Sequence, residues 1–261
     1  MRTVMLTLAV IACGIVVYDV VVFGRAVLRS RAVAAEGVAF QQAPQRVAAR
    51  LLVVGDSTAV GTGAESPLQS IAGRIGRDFP AASIENRAVN GALTTAVDKQ
   101  IGGAERERYS AVLIQVGGND ALRFTSRGQL ETAIRNAIGE ARSRSPRVAL
   151  MSTGDLGDAP AIPWPLSHLF RARAAMVRDL FAQVALELGC SYVDLWLPAG
   201  APNPFKREPD RYYARDGLHP AGPGYATWYA ALREQVPLQE WLDAATSFGP
   251  PPARHRDTDA G

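Results

Sequence analysis

Leu51-Leu52-Val53-Val54-Gly55-Asp56-Ser57-Thr58 is the stretch that decides the fold. Four consecutive aliphatic residues without polar alternation read as a strand buried on both faces. The glycine and short polar residues behind them turn the chain towards a helix. A strand buried on both faces needs helices above and below it, and the chain supplies them. Leu68, Ile71, Ala72, Ile75 and Phe79 recur at helical spacing, and Phe79-Pro80 ends that helix. Residues 83–87 read as a second strand and 111–116 as a third. Leu130, Ile134 and Ile138 mark a helix, and 148–151 a fourth strand. Leu169, Met176, Leu180, Phe181, Val184 and Leu188 form a long stripe that stops at Gly189. A fifth strand covers 192–195, and a last helix carries Tyr225, Trp228, Tyr229 and Leu232. This alternation predicts an α/β fold: a parallel five-stranded sheet covered by helices on both faces. Ligands of such sheets bind at the carboxyl ends of the strands.

Three segments at or beyond such ends carry chemistry. Ser57 follows the first strand and precedes a helix. A serine hydroxyl attacks only when a base takes its proton, and the backbone N–H groups of such a turn suit a developing negative charge. Alone, Ser57 reads as a helix N-cap. Gly117-Gly118-Asn119-Asp120 follows the third strand. Its Asn119 amide can donate to a tetrahedral oxyanion, and Gly91, in Val89-Asn90-Gly91-Ala92, can add a backbone N–H; taken alone, the latter segment reads as an ordinary Asn-Gly turn. Asp216-Gly217-Leu218-His219-Pro220 places a carboxylate three residues before an imidazole. The Asp216 carboxylate can fold back onto the ring nitrogen facing away from Ser57, fixing tautomer and orientation. Alone, this segment reads equally as a surface turn with a capping Asp. Of the three histidines, His168 lies in a proline-rich loop and His255 in the tail, which leaves His219 as the base. Gly61 and Gly63 do not complete a dinucleotide fingerprint.

These blocks carry a resemblance. The chain resembles the SGNH (GDSL) hydrolases through Gly55-Asp56-Ser57, Gly91, Gly117-Gly118-Asn119-Asp120 and Asp216-Gly217-Leu218-His219-Pro220, in that order. The resemblance implies a flavodoxin-like three-layer α/β/α sandwich. It also implies a metal-independent, cofactor-free serine esterase, lipase, thioesterase or carbohydrate deacetylase. The expected catalytic residues are Ser57, Asp216 and His219, with Ser57, Gly91 and Asn119 at the oxyanion. The same residues would serve an acyltransferase, and a membrane-tethered binding module with a relic site is the non-enzyme alternative. The expected substrate is a small-molecule, lipid or carbohydrate ester.

The expected hydrolase domain spans 50–246, inside a chain of 261 residues that is 48% hydrophobic. Residues 1–31 read as a membrane anchor, because 4–24 is apolar on all faces apart from Asp19 and long enough for a bilayer core. A cleaved signal ending at Ala32-Val33-Ala34, which would export the enzyme, and a lipoprotein box at Val10-Ile11-Ala12-Cys13 are the competing readings. The Arg25, Arg29 and Arg31 cluster lies where a signal peptide needs an uncharged stretch. Residues 32–49 read as a linker and 247–261 as a disordered tail with a proline run. The net charge of +3 is spread along the chain, without the basic and aromatic clustering of a nucleic-acid binder. Two cysteines, Cys13 and Cys190, make a disulfide framework unreasonable, and no Cys/His cluster has zinc spacing. The loop 154–170 reads either as an overhang that shapes an acyl pocket or as a segment packed on the sheet, and 196–213 is the other candidate wall.

Overall fold

The structure, a computed structural model, describes residues 2–198 and 200–243, without the side chains of 8, 9, 11, 12, 15 and 16. A long helix α1 (Arg2–Glu36) leads to strand β1 (Ala49–Gly55) and a single helical turn α2 (Ser57–Val60). Then come α3 (Ile71–Asp78), β2 (Ala82–Asn86), α4 (Val97–Gly102), β3 (Ala111–Gln115), α5 (Gly118–Leu122) and α6 (Arg127–Arg144). The second half holds β4 (Val148–Met151), α7 (Leu166–Leu188), β5 (Ser191–Val193), α8 (Pro204–Arg207), α9 (Pro209–Tyr212), α10 (Gly222–Gln235) and α11 (Leu238–Asp243).

The five strands pair in parallel in the order β2-β1-β3-β4-β5. Their apolar runs are continuous because each face meets a helical layer. Leu52, Val54, Val112, Ile114 and Leu150 face one core with Ile101 of α4, Leu130 and Ile134 of α6, and Val177 and Phe181 of α7. Leu51, Val53, Leu113 and Met151 face the other with Ile71 and Ile75 of α3, Tyr225 and Leu232 of α10, and Trp241 of α11. This is the expected three-layer, flavodoxin-like sandwich. The chain leaves β1 first towards β2 and later returns to β3 on its other side. The crevice at the carboxyl ends of β1 and β3 is therefore the switch point where such sheets take ligands.

Four local readings change. The helix expected from Leu68 to Phe79 is split: Pro67–Gln69 is a 3₁₀ turn, and the Ser70 side chain accepts from Gly73 N to start α3 afresh. Leu68 is accordingly exposed instead of lining the core. The fifth strand ends at Val193, because Asp194 N donates to Gln235 Oε1 and the Asp194 carboxylate turns to Arg178. The linker expected over 32–49 is an ordered part of the domain. Its first residues continue α1 to Glu36, and Gln42 then forms an antiparallel bridge with Ile84. Gln41 exchanges hydrogen bonds with the backbone of Asn86, and Gln42 Nε2 donates to Phe79 O and Ala82 O. Sequence reading missed α11, whose Leu238, Trp241 and Leu242 close one core. The expected tail, 247–261, lies outside the described residues. Among the described residues, no helix is long and apolar enough to cross a membrane.

Candidate active site

Gly55 ends β1 at φ +140°, where a Cβ would collide with Gln115 O. Only glycine lets β1 run that close to β3 and still turn upward. Beyond the end of β2, the side chain of Gln100 takes over the pairing: Gly55 N donates to its Oε1 and its Nε2 donates to Gly55 O. Asp56 is the N-cap of α2, accepting from Thr58 N at 2.8 Å and Thr58 Oγ1 at 2.7 Å. The capping role thus falls to Asp56 and leaves the Ser57 hydroxyl free for another partner. Burial pushes the Asp56 carboxyl above its usual range against the opposing pull of the Thr58 hydrogen bonds.

That partner is His219. Ser57 Oγ and His219 Nε2 are 2.8 Å apart, and His219 Nδ1 and Asp216 Oδ2 are 2.5 Å apart. With Nδ1 facing a carboxylate, its hydrogen belongs there, which leaves the Nε2 lone pair towards Ser57. The turn at Gly217 sends Leu218 N and His219 N to Asp216 Oδ1, at 3.0 and 3.1 Å. Burial alone would raise the Asp216 carboxyl; the hydrogen bond and charge of His219 and the two backbone donors outweigh it and hold the group below the carboxylate range. Gly63, at φ +94°, brings its backbone against the same segment, where a Cβ would lie 2.9 Å from His219 Cβ. Ser57, Asp216 and His219 are all buried.

Asn119 and Gly91 border the cavity that holds Ser57. Asn119 Nδ2 donates to Ala92 O at 3.1 Å, so one amide hydrogen fixes the side chain and the other remains available. The two loops are tied by a residue that sequence reading did not single out: buried Asp120 accepts from Thr94 N at 2.9 Å and Thr94 Oγ1 at 2.8 Å. The structure therefore brings Ser57, Gly91, Asn119, Asp216 and His219 to one cavity. His168 is exposed on α7, outside it, and His255 lies outside the described residues.

The cavity has a volume of about 1100 Å³. Both expected loops wall it: Asp155, Leu156 and Ala159 from one, Trp196, Leu197 and Phe205 from the other. Trp164 instead projects into solvent. Arg171 bonds Asp155 and Asp158, and Lys206 also pairs with Asp158 at 3.2 Å, so this polar corner is largely charge-compensated. The third wall comes from α1, through Phe23, Ala26, Val27, Ser30, Arg31 and Ala34. Sequence reading missed it. The one available signal was that these positions recur at i, i+3, i+4, i+7, i+8 and i+11, a single helical face. Among the described residues, no group of three or more His, Cys, Asp or Glu is placed to hold a metal ion.

A parallel sheet layered between helices, with a Ser–His–Asp hydrogen-bonded chain above its switch point, has the architecture of a GDSL-type hydrolase. The chain belongs to the GDSL-like lipase/acylhydrolase family, whose model matches residues 53–227 and so spans every block of the site. It is similar to the GDSL-like esterase Rv1075c of Mycobacterium tuberculosis, 28% identical over 204 residues. That match covers 74% of this chain but only 64% of the relative's length. Among solved structures, the fold is similar to TesA, with a TM-score of 0.57, 19% identity, and 74% of this chain and 99% of that chain covered. It is also similar to the acetylxylan esterase Axe2 of Geobacillus stearothermophilus, with a TM-score of 0.54, 18% identity, and 72% and 94% covered.

Proposed function

We propose that the protein is a serine esterase that cleaves carboxylic esters through an acyl-enzyme. The carrying observation is the unbroken chain Ser57 Oγ–His219 Nε2, 2.8 Å, and His219 Nδ1–Asp216 Oδ2, 2.5 Å. His219 takes the Ser57 proton as the oxygen attacks the ester carbonyl. Asp216 holds the ring and stabilises the imidazolium that forms. Ser57 N–H, Gly91 N–H and Asn119 Nδ2 receive the oxyanion. His219 then protonates the leaving alcohol, and water repeats the sequence on the acyl group. The family assignment and the esterase names of similar proteins support this reading. The test is a panel of p-nitrophenyl esters of increasing acyl length beside acetylated xylo-oligosaccharides. A folded protein that turns over none of them overturns the proposal.

Asn119→Ala is expected to lower kcat by about 10²–10³-fold, the usual effect of removing one oxyanion donor. KM should change little, because the donor acts mainly on the charge that develops in the transition state. Steady-state kinetics on the best ester of the panel reads this, and an unchanged kcat removes Asn119 from the oxyanion site.

The proposal for location is membrane association through the N-terminal half of α1. Val4, Met5, Leu6, Val10, Val17, Tyr18 and Val20 are all exposed on it, a larger apolar surface than a free helix in water tolerates. Full-length protein is expected in the membrane fraction and extracted by detergent. Recovery in the soluble fraction overturns this location.

A further inference from the structure

The N-terminal helix does more than precede the hydrolase domain. Its second half lies against the active site. Ala26 and Val33 are buried there, and Phe23 stacks on Phe170 of α7 with ring centroids 5.3 Å apart. At the end of the helix, Asn90 Nδ2 donates to Ala34 O at 2.7 Å, and Asn90 in turn accepts from Thr62 Oγ1 at 2.7 Å. Asn90 immediately precedes Gly91, so the helix is pinned to the loop that borders the oxyanion side. Glu36 pairs with Arg215, the neighbour of Asp216. Between these anchors, Ser30 Oγ donates to Asp216 Oδ2 at 3.1 Å and stands 3.4 Å from His219 Nδ1.

Asp216 Oδ2 thus has two donors, His219 Nδ1–H and Ser30 Oγ–H, while Oδ1 is held by two backbone N–H groups. The backbone donors fix one oxygen of the carboxylate. The Ser30 hydroxyl is the side-chain group that fixes the direction of the other, the one His219 leans on. Beside it, Phe23, Ala26 and Val27 offer an apolar surface to the same cavity as Ser57.

We propose that the second half of α1 is a working wall of the active site: Ser30 is a positioning residue for the Asp216–His219 pair, and Phe23, Ala26 and Val27 bound the apolar chain of the ester. This rests on the esterase reading above but concerns residues that lie before the matched family region, 53–227.

The test uses the full-length protein. Ser30→Ala is expected to lower kcat about tenfold, the effect of losing one hydrogen bond to a charged group, with KM within about twofold because no substrate contact is removed. Ser30→Thr, which keeps the hydroxyl, should recover most of the loss. Circular dichroism should match the unmodified protein in both. Val27→Trp, which narrows the wall, is expected to lower kcat/KM for long-chain esters at least tenfold more than for acetyl or methyl esters. Both p-nitrophenyl acyl esters and alkyl acetates are needed, so that either side of the ester can report. Full ester turnover with Ser30→Ala unchanged in kcat overturns the positioning role and leaves the esterase reading intact. Unchanged chain-length selectivity of Val27→Trp in both series overturns the wall. Mass spectrometry of the mature protein is an independent measurement: a fully active enzyme beginning at Ala35 lacks Ser30 and overturns the proposal.

Discussion

Ser57→Ala reduces ester turnover to background, a loss on the order of 10⁶-fold in kcat, the scale found when the nucleophile of a serine triad is removed. The expectation follows from the geometry around one oxygen. Ser57 Oγ is the atom that meets His219 Nε2, while the capping of α2 is done entirely by Asp56. The nearby hydroxyls have other partners: Thr58 Oγ1 donates to Asp56 Oδ1 at 2.7 Å, and Ser30 Oγ donates to Asp216 Oδ2 on the far side of the imidazole from Ser57. Because the α2 cap does not depend on Ser57, the variant should fold. Circular dichroism and thermal midpoint should therefore stay close to those of the unmodified chain while hydrolysis and fluorophosphonate labelling both vanish. Residual activity above a tenth of the original would mean that another group attacks the ester.

The same separation of capping from catalysis shows what the sequence could and could not reveal. The strand 51–54 was legible because a strand buried on both faces cannot alternate, and Ser57 stood out because it followed that strand directly. Asp216 and His219 were legible as a pair because a three-residue spacing around a glycine is local geometry. The choice between a cap and a nucleophile stayed open at Ser57. That choice depends on where the Asp56 side chain turns, which only the folded loop determines. The bonding roles of Gln100, Asp120 and Asn90 were hidden for a different reason, although Asp120 and Asn90 stand inside quoted blocks. Each satisfies backbone or side-chain groups tens of residues away, and a buried amide or carboxylate with distant partners has no local pattern. The wall formed by α1 was hidden by composition. An apolar run near a chain's start reads as a membrane segment from its hydropathy, and the helical face from Phe23 to Ala34 carries small and charged residues that do not disturb that reading. The break at Ser70 was missed because the apolar spacing continued through it, while the local hydrogen bond from Gly73 N decided where the helix began.

The position of the site also follows from the topology. Ser57 comes from the end of β1 and Asn119 from the end of β3, neighbouring central strands. The pair Asp216–His219 comes from the segment leading into α10, which packs on the face of the sheet shared with α3. Three distant parts of the chain meet because the two strands are paired in register, Gly55 opposite Gln115, and because α10 is locked below by Tyr225, whose hydroxyl donates to Thr62 O at 2.7 Å. Strand ends and a hydrogen-bonded turn before α10 hold the reacting atoms, and the segments 154–170 and 196–213 are left to shape the cavity.

Asp216→Asn is expected to lower kcat by roughly 10⁴-fold at neutral pH, although the change replaces one oxygen by an NH₂ of nearly equal size. The hydrogen bonds determine which way the new amide faces. Asp216 Oδ1 must accept from both Leu218 N and His219 N, so the amide oxygen takes that position. Its NH₂ is then left pointing at His219 Nδ1, where the carboxylate oxygen had accepted at 2.5 Å. A donor facing Nδ1 obliges that nitrogen to accept, and the ring hydrogen moves to Nε2. An N–H is then aimed at the Ser57 hydroxyl in place of a lone pair, and the base is gone without any displacement of the ring. Ser30 accommodates the change, because its hydroxyl can accept as well as donate. The variant should therefore fold, bind ester with a KM close to the original, and fail in the chemical step. The depressed Asp216 carboxyl adds a stability consequence with a definite sign. A group held below its usual range stabilises the fold above that range and loses its contribution as the pH falls through the depressed value. Asp216→Asn should accordingly lower the thermal midpoint near neutral pH and leave it nearly unchanged at strongly acid pH, where the carboxylate is protonated in any case. A kcat within tenfold of the original would show that His219 does not depend on Asp216 for its tautomer, and the proposed proton path would be wrong.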